Sequence, residues 1–316
     1  MRVLIAEDET VSRLRLQARL VKWGYEVVVA RDGLEAWDLL QAPDAPSLAI
    51  VDWMMPGLDG TELCRRIRKQ AKEPYVYVIL LTGKDRKEDL IEGLEAGADD
   101  YVTKPVDPHE LEVRVRGGQR IVKLHAELVA SRQAMWHQAT HDNLTGAWNR
   151  SAALDALQRE MVRNSREKGS LTVAIVDLDH FKRVNDTYGH HGGDIVLRES
   201  VRRMAGALRP YDTLARYGGE EFILILPGCD MAAGCSVTER VRKVLADTPI
   251  DVSNQLVAVT CSIGMSVLSG LDTDMHAFIK RADEALYEAK RSGRDRVTIA
   301  ARPSLVSPPL PIKIAS

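Results

Sequence analysis

The chain reads as two α/β domains joined by a long helix, and three stretches of its 316 residues lead to that fold class. Over residues 1–120 short apolar strands alternate with helical stretches, the mark of a doubly wound five-stranded parallel sheet. Between 106 and 141 apolar residues recur at alternating spacings of three and four, which predicts one long helix. Beyond 142 a glycine-centred hairpin sits inside a second α/β pattern and predicts a mixed sheet with that hairpin at its centre. A chain of this length exceeds one ordinary core, so two domains are expected.

Composition narrows the function classes. Hydrophobic residues make up 45% and charged residues 28%, the balance of a soluble globular protein. A formal net charge of −2 offers no general electrostatic case for nucleic acid or a membrane surface. No apolar run reaches 18 residues and Glu7 comes too early for a signal peptide, so a cytoplasmic protein without membrane insertion is expected. Cys64, Cys229, Cys235 and Cys261 lack metal-type spacing and read as small core residues.

In the first domain the strands are read at Val3–Ala6, Val27–Ala30, Leu48–Val51, Val76–Leu81 and Tyr101–Val102, with helices at 10–23, 33–41, 59–71, 86–95 and from 108. Ligands of such sheets sit beyond the carboxyl ends of the strands. There the chain places Glu7 and Asp8 after the first strand, Asp52 after the third, Thr82 after the fourth and Lys104 after the fifth. Three carboxylates at one edge repel unless a cation joins them, and oxygen ligands of this kind suit Mg²⁺. Solvated strand ends are the plain alternative, and five polar residues coinciding at strand ends argue against it.

The set Glu7-Asp8, Asp52-Trp53-Met54-Met55-Pro56-Gly57, Thr82-Gly83 and Tyr101-Val102-Thr103-Lys104-Pro105 resembles the receiver domain of two-component response regulators over the whole segment. The resemblance implies that Asp52 accepts a phosphoryl group from a cognate histidine kinase or another phosphodonor. It implies that Glu7, Asp8, Asp52 and the Met54 carbonyl surround one Mg²⁺. Thr82 and Lys104 would contact the phosphoryl oxygens, and Tyr101 would change rotamer on activation. A phosphoryl group adds roughly −1.5 to −2 charges, enough to bias a two-state element.

In the connector, 106–141, Ile121, Leu124, Leu128, Ser131 and Met135 form the seam of a coiled coil that overlaps the last helix of the first domain. Pairing in a homodimer is expected; an amphipathic helix packed on one domain is the alternative. Gly117-Gly118 suggests a hinge or a close crossing, since each glycine costs about 1 kcal/mol against alanine in a helix.

The second domain, 142–301, opens with Asp142-Asn143-Leu144-Thr145-Gly146-Ala147-Trp148-Asn149-Arg150 and a helix from about 151. A buried-type strand ends at Asp177, a helix start is read around Phe181 and Lys182, and the stretch from Asn185 to Gly193-Asp194 is read as beginning another helix. The hairpin follows, with Gly218-Gly219 read as its turn and Glu220 and Glu221 at its mouth. Then come a helix at 231–247, a strand at 256–267, a helix at 274–291 and a strand at 296–300. If the strands carrying Asp177 and Glu220 are neighbours, both carboxylates face one point and can hold divalent cations. Amides around Phe181 and the Lys182 side chain would favour phosphate at a helix start. Lys290 and Arg294, four apart, could reach outer phosphates, although a basic helix terminus alone would explain them.

The motifs Asp177-x-Asp179-x-Phe181-Lys182-x-x-Asn185-Asp186, Gly193-Asp194 and Arg216-Tyr217-Gly218-Gly219-Glu220-Glu221-Phe222 resemble the GGDEF family of diguanylate cyclases over about 160 residues. The resemblance implies condensation of two GTP into cyclic di-GMP and two pyrophosphates. It implies two Mg²⁺ per GTP site, held by Asp177, the Leu178 carbonyl and Glu220, with Glu220 also the proton acceptor. Lys182 would stabilise the transition state, and Glu221 counts with Glu220 and Lys182 in the catalytic set. Phe181, Lys182, Lys290 and Arg294 would bind the phosphates, and Asn185 and Asp194 the guanine, whose N1–H and N2 amino donors adenine lacks. Each domain holds one GTP, so a homodimer or higher assembly is implied. Arg209-Pro210-Tyr211-Asp212 is similar to the family's R-x-x-D inhibitory site for the product, with Arg240 and Arg163 as further arginines; a local Arg–Asp pair is the alternative. Ala147 departs from the larger apolar residue usual at that position. A silent domain that only senses cyclic di-GMP, or a scaffold, are the other functional readings. The proline-rich tail, 302–316, is expected to be disordered.

Overall fold

The computed structural model describes residues 1–70, 73–83, 87–269 and 274–301. The tail from 302 lies outside the described residues. The chain divides into two compact units, Met1–Ala134 and Met135 onward, so the division falls inside the expected connector.

The first unit runs β1 Arg2–Ala6, α1 Thr10–Lys22, β2 Glu26–Ala30, α2 Gly33–Gln41, β3 Leu48–Asp52, α3 Gly60–Gln70, β4 Tyr77–Thr82, α4 Lys87–Glu95, β5 Asp100–Thr103 and α5 Pro108–Thr140. Its five strands pair in the order β2-β1-β3-β4-β5, all parallel. Alternate residues feed two separate cores. Leu4, Ala49, Val51, Val78 and Leu80 face one layer, and Val3, Ile5, Ile50, Ile79 and Leu81 the other. That double burial is why β3 and β4 are apolar without alternation.

The glycine pair does not break α5, which is continuous. A Cβ on Gly118 would lie 2.5 Å from the Tyr77 ring, whereas one on Gly117 would meet nothing within 4 Å. Gly118 is therefore a contact residue that lets the helix lie close to β4. Leu111 and Val115 are buried on the same helix, whereas Ile121, Leu124, Leu128 and Met135 are exposed.

The second unit runs α6 Arg150–Glu167, β6 Leu171–Leu178, α7 Phe181–Gly206, β7 Thr213–Gly218, β8 Glu221–Pro227, α8 Met231–Ala246, β9 Ile250–Val252, β10 Gln255–Val257, β11 Cys261–Val267, α9 Met275–Arg291 and β12 Val297–Ile299. Its five-stranded sheet has the order β12-β11-β6-β8-β7. β6 pairs antiparallel with both β8 and β11, whereas β11 and β12 are parallel, so the sheet is mixed. β6 and the core of β8 are buried on both faces, which places the end of β6 among covered strands.

Three local details differ from the sequence reading. The hairpin turn is Gly219-Glu220, because Gly218 pairs with Glu221 and only Gly219 takes a positive φ, +43°. The expected strand 256–267 is two, β10 and β11, and an unread strand precedes them: Ser253 and Asn254, with φ of 54° and 67°, form a tight turn that folds β10 back on β9. α7 begins at Phe181 and is kinked at Gly189, whose φ of 71° and ψ of 171° are not helical.

Candidate active site and phosphoacceptor pocket

At the carboxyl edge of the first sheet, Glu7 and Asp52 are buried and Asp8 is exposed. One carboxylate oxygen from each lies within 4.8 Å of the others, and among the described residues this is the one group of three such side chains. Lys104 Nζ sits 2.9 Å from Glu7 and 2.8 Å from Asp52. Its backbone N–H donates to the Thr82 carbonyl at 2.7 Å, which seats the lysine beside a fully buried threonine. Burial pushes the Glu7 carboxyl above its ordinary value, opposed by the Lys104 hydrogen bond and reinforced by the Asp52 charge. Burial also works against the Lys104 charge, but its bonds to Asp52 and Glu7 hold the ammonium pKa above the usual value. One lysine thus pairs with two of three clustered acids, and the three carboxylates are a donor set suited to a hard divalent cation. Gly60 allows α3 to approach this edge, since a Cβ there would lie 2.4 Å from the Asp52 carbonyl. Met54 is 67% exposed, and Tyr101 is half-buried against one of the two cores of this unit.

In the second unit, Asp177 stands opposite Glu221 in the β6–β8 ladder, and the Leu178 N–H donates to the Glu220 carbonyl at 3.3 Å. Neighbouring strands therefore bring Asp177, Leu178, Glu220 and Glu221 to one mouth. Burial raises the Asp177 pKa; the ion pair with Lys290 opposes it, and the Glu220 and Asp179 charges add to it. Burial likewise raises Glu221, with the Asp177 charge next in weight. Lys290 Nζ lies 2.7 Å from Asp177 Oδ2. Several acids thus share one cation, and their oxygens are suited to a divalent metal.

α7 starts beside this mouth. Its N-cap, His180, has a φ of 56° and makes no side-chain cap bond to the first-turn amides. Phe181 is buried there and Lys182 is exposed. Asn185 packs against Gly193 across the Gly189 kink, where a Cβ on Gly193 would fall 1.9 Å from Asn185 Oδ1, and Asp194 is the next residue. Arg294 is not on the α9 helix with Lys290. The helix ends at Arg291, Gly293 turns the chain with a φ of +112°, and the Arg294 N–H returns to the Ala289 carbonyl at 3.1 Å.

Arg209 and Asp212 meet differently from an Arg–Asp ion pair. The Arg209 backbone N–H donates to Asp212 Oδ2 at 2.8 Å, while its guanidinium donates to the Tyr211 hydroxyl at 3.0 Å. Asp212 Oδ1 is buried without a hydrogen-bond partner. Arg209, Tyr211 and Arg163 line one cleft of about 510 Å³, where Arg163 is paired to Glu167 at 3.1 Å. Arg240 does not line that cleft; its Nε donates to the Ala207 carbonyl at 2.8 Å.

Three residues with no role in the sequence reading emerge: Arg216, Asp142 and Asp179. Arg216 donates to the Gly219 carbonyl at 2.9 Å and to Asp142 at 3.1 Å, tying the hairpin turn to the start of the domain. Although burial raises it, Asp142 is held below the usual carboxylate range by Thr145 and Arg216. Asp179, spaced from Asp177 like a second metal ligand, is instead a buried staple that accepts from Ser262 Oγ and Thr260 Oγ1, each at 2.7 Å. Its motif position was visible in the sequence; its distant partners were not.

Comparison with known proteins followed the same division. Residues 139–296 match the family model described as diguanylate cyclase, GGDEF domain, and residues 3–116 match the response regulator receiver domain. Response regulator PleD of Caulobacter vibrioides is 32% identical over 300 residues, spanning 94% of this chain and 65% of PleD. Diguanylate cyclase DgcP of Pseudomonas aeruginosa is 38% identical over 223 residues, 67% of this chain and 32% of DgcP. The chain thus spans less than two thirds of either relative. The crystal structure of the coiled coil and GGDEF domain of DgcB from Caulobacter crescentus, in complex with c-di-GMP, superposes with a TM-score of 0.54 at 32% identity, covering 60% of this chain and 99% of that one. Among the described residues no helix is long and apolar enough to cross a membrane.

Proposed function

This chain belongs to the GGDEF family, fused to a response regulator receiver domain, and on that footing we propose that it is a phosphorylation-regulated diguanylate cyclase. Residues 1–120 act as the receiver, 106–141 as the coupling helix and 142–301 as the cyclase. The substrate is GTP, and two molecules yield cyclic di-GMP and two pyrophosphates. The observation that carries this reading is the convergence of Asp177, Leu178 and Glu220 beside the uncapped start of α7, the helix on which Asn185 packs against Gly193.

Asn185 and Asp194 take the guanine edge. The Asp194 carboxylate accepts from N1–H and the N2 amino group, and a site built for such bonds rejects a base without those donors by up to ~10⁴–10⁵. The α7 amides, Phe181 to Lys182, together with Lys290 and Arg294, bind the phosphates. The 3′-hydroxyl oxygen of one nucleotide attacks the α-phosphorus of the other as the bond to pyrophosphate breaks. Glu220 accepts the hydroxyl proton, and Glu221 sits beside it. Lys182 offsets the charge that develops on the phosphoryl oxygens. Asp177, the Leu178 carbonyl and Glu220 would hold Mg²⁺, two per site, which supplies neutralisation of the phosphates.

Each chain carries one nucleotide site, so the reaction needs two chains facing each other. The exposed seam Ile121, Leu124, Leu128 and Met135 supports pairing through α5. In the receiver, Asp52 takes the phosphoryl group from a histidine kinase or other phosphodonor. Glu7, Asp8, Asp52 and the Met54 carbonyl would hold one Mg²⁺, Thr82 and Lys104 receive the phosphoryl oxygens, and Tyr101 carries the switch. The product inhibits at the Arg209-x-x-Asp212 site, with Arg163 and Arg240 as further arginines; the Arg209 and Arg163 guanidiniums border one cleft and supply donors there.

The test is incubation of the full chain with GTP and Mg²⁺, with and without beryllium fluoride, followed by nucleotide chromatography. Cyclic di-GMP should accumulate faster with the fluoride, and Asp52→Ala should abolish the difference. No cyclic dinucleotide under either condition overturns the cyclase reading.

A further inference from the structure

The turn that follows α9 is unusual in its backbone. Gly293 has a φ of +112°, and two residues with side chains come next in the left-handed region, Arg294 at 61° and Asp295 at 45°. Residues carrying a Cβ rarely adopt that conformation, and they persist in it when surrounding contacts over-determine it.

Those contacts come from two distant elements. Asp295 N–H donates to Asp179 Oδ2 at 3.1 Å, at the end of β6. Arg242 Nη1, on α8, donates to Asp295 Oδ1 at 2.6 Å. Neither anchor is loose. Asp179 is 7% exposed and is held by Ser262 and Thr260, and its own N–H donates to the Thr260 carbonyl at 2.9 Å. The Arg242 side chain is 17% exposed and is also bound by Glu239, through contacts of 2.6 to 3.1 Å. The backbone and the side chain of one residue, Asp295, are therefore held by two separate elements, and the residue before it is Arg294.

We infer that Arg242 is a positioning residue for the triphosphate: with Asp179 as the fixed opposing point, it holds Asp295 and so aims Arg294. The inference rests on the reading of Arg294 as a phosphate ligand. Arg242 acts through its neighbour. Its loss leaves Arg294 chemically intact but frees the turn to leave its left-handed conformation, so the guanidinium must be reordered each time a nucleotide binds. Because guanine is read by Asn185 and Asp194 on α7, recognition of the base does not depend on Arg242.

That separation defines the experiment. Affinities of the full chain are measured by calorimetry for GMP and for a GTP analogue with a methylene in the α–β bridge, which cannot be cyclised. The variants are Arg242→Gln, Asp295→Asn, Arg294→Ala and the Arg242→Gln/Arg294→Ala double variant. Asparagine tolerates the left-handed φ but removes the charge that Arg242 binds. Arg294→Ala should collapse the preference for triphosphate over monophosphate. Arg242→Gln and Asp295→Asn should each lower that preference about three- to tenfold with GMP affinity unchanged, and the double variant should be no weaker than Arg294→Ala, the non-additivity expected of residues that act as one unit. An unchanged preference in Arg242→Gln alongside a collapse in Arg294→Ala overturns the positioning role and leaves the phosphate reading standing. An unchanged preference in Arg294→Ala overturns the phosphate reading itself. Equal losses for GMP and the triphosphate analogue in Arg242→Gln mark general loosening and also overturn the inference.

Discussion

Gly193→Ala should separate folding from recognition in this protein. The added Cβ falls 1.9 Å from Asn185 Oδ1, 3.0 Å from its Cγ and 3.1 Å from Phe181 Cζ. The worst contact is roughly 1.5 Å short of a comfortable separation, so the amide must move. The atom struck is the tip of a side chain and not backbone, which makes the motion inexpensive. An off-rotamer asparagine costs about 0.5–1.5 kcal/mol. Against it, alanine gains about 1 kcal/mol over glycine in a helix interior. The two nearly cancel, and the melting temperature should stay within about 4 °C of the parent.

Function should not be spared. In the proposed site, displacing Asn185 would remove its hydrogen bonds to guanine and leave groups on the base unmet, a loss of about 1–3 kcal/mol. At 1.4 kcal/mol per decade, GTP should bind about 5- to 150-fold more weakly. Discrimination against ATP should fall by a similar factor, since ATP never used those bonds. A thermal melt and a competition assay with GTP and ATP measure both quantities on one sample. Unaltered GTP-over-ATP preference would refute the role given to Asn185, and a melting temperature lowered by more than about 10 °C would refute the claim that only the amide moves.

Gly264→Ala should behave in the opposite way. Its Cβ would meet the Ala282 carbonyl oxygen and the Leu286 nitrogen, both at 2.1 Å, and backbone cannot rotate aside. α9 must lift from β11, costing about 1–3 kcal/mol or more and breaking the 2.7 Å Lys290–Asp177 contact, so melting temperature and turnover should fall together; a variant with both intact contradicts the packing argument. Glu199 supplies a pH test: its hydrogen bonds and charge contacts with Arg202 and Arg203 hold its carboxyl down to about 2. A lowered folded-state pKa contributes stability above the ordinary glutamate range that disappears as pH falls toward 2. Glu199→Gln should therefore melt below the parent at pH 7, with the gap closing between that range and pH 2, and a gap independent of pH in melting curves would show that the pair contributes nothing.

Most strands and helices of both domains were legible in the sequence, because burial on two faces leaves unbroken apolar runs in β3, β4, β6 and β8, and these are local patterns, whereas the short β9 and β10 and the strand order of the second sheet were not. The sequence also placed Asp52, Lys104, Asp177 and Glu220 at strand ends and turns, since such residues stand out against apolar neighbours. Where it stopped is equally specific. Gly117-Gly118 carries the same letters whether it marks a hinge or a contact, and only the Tyr77 ring lying against Gly118 decides it. Asp179 has the spacing of a metal ligand, yet Thr260, Ser262 and Asp295, more than eighty residues away, occupy its carboxylate. Arg294, four residues after Lys290, leaves the helix because Gly293 turns the chain. Periodicity and chain propensity are properties of neighbouring residues and can be read in order. Which donor fills which acceptor depends on how separate elements pack, and that was decided only when β6, β11, α8 and the turn after α9 came together.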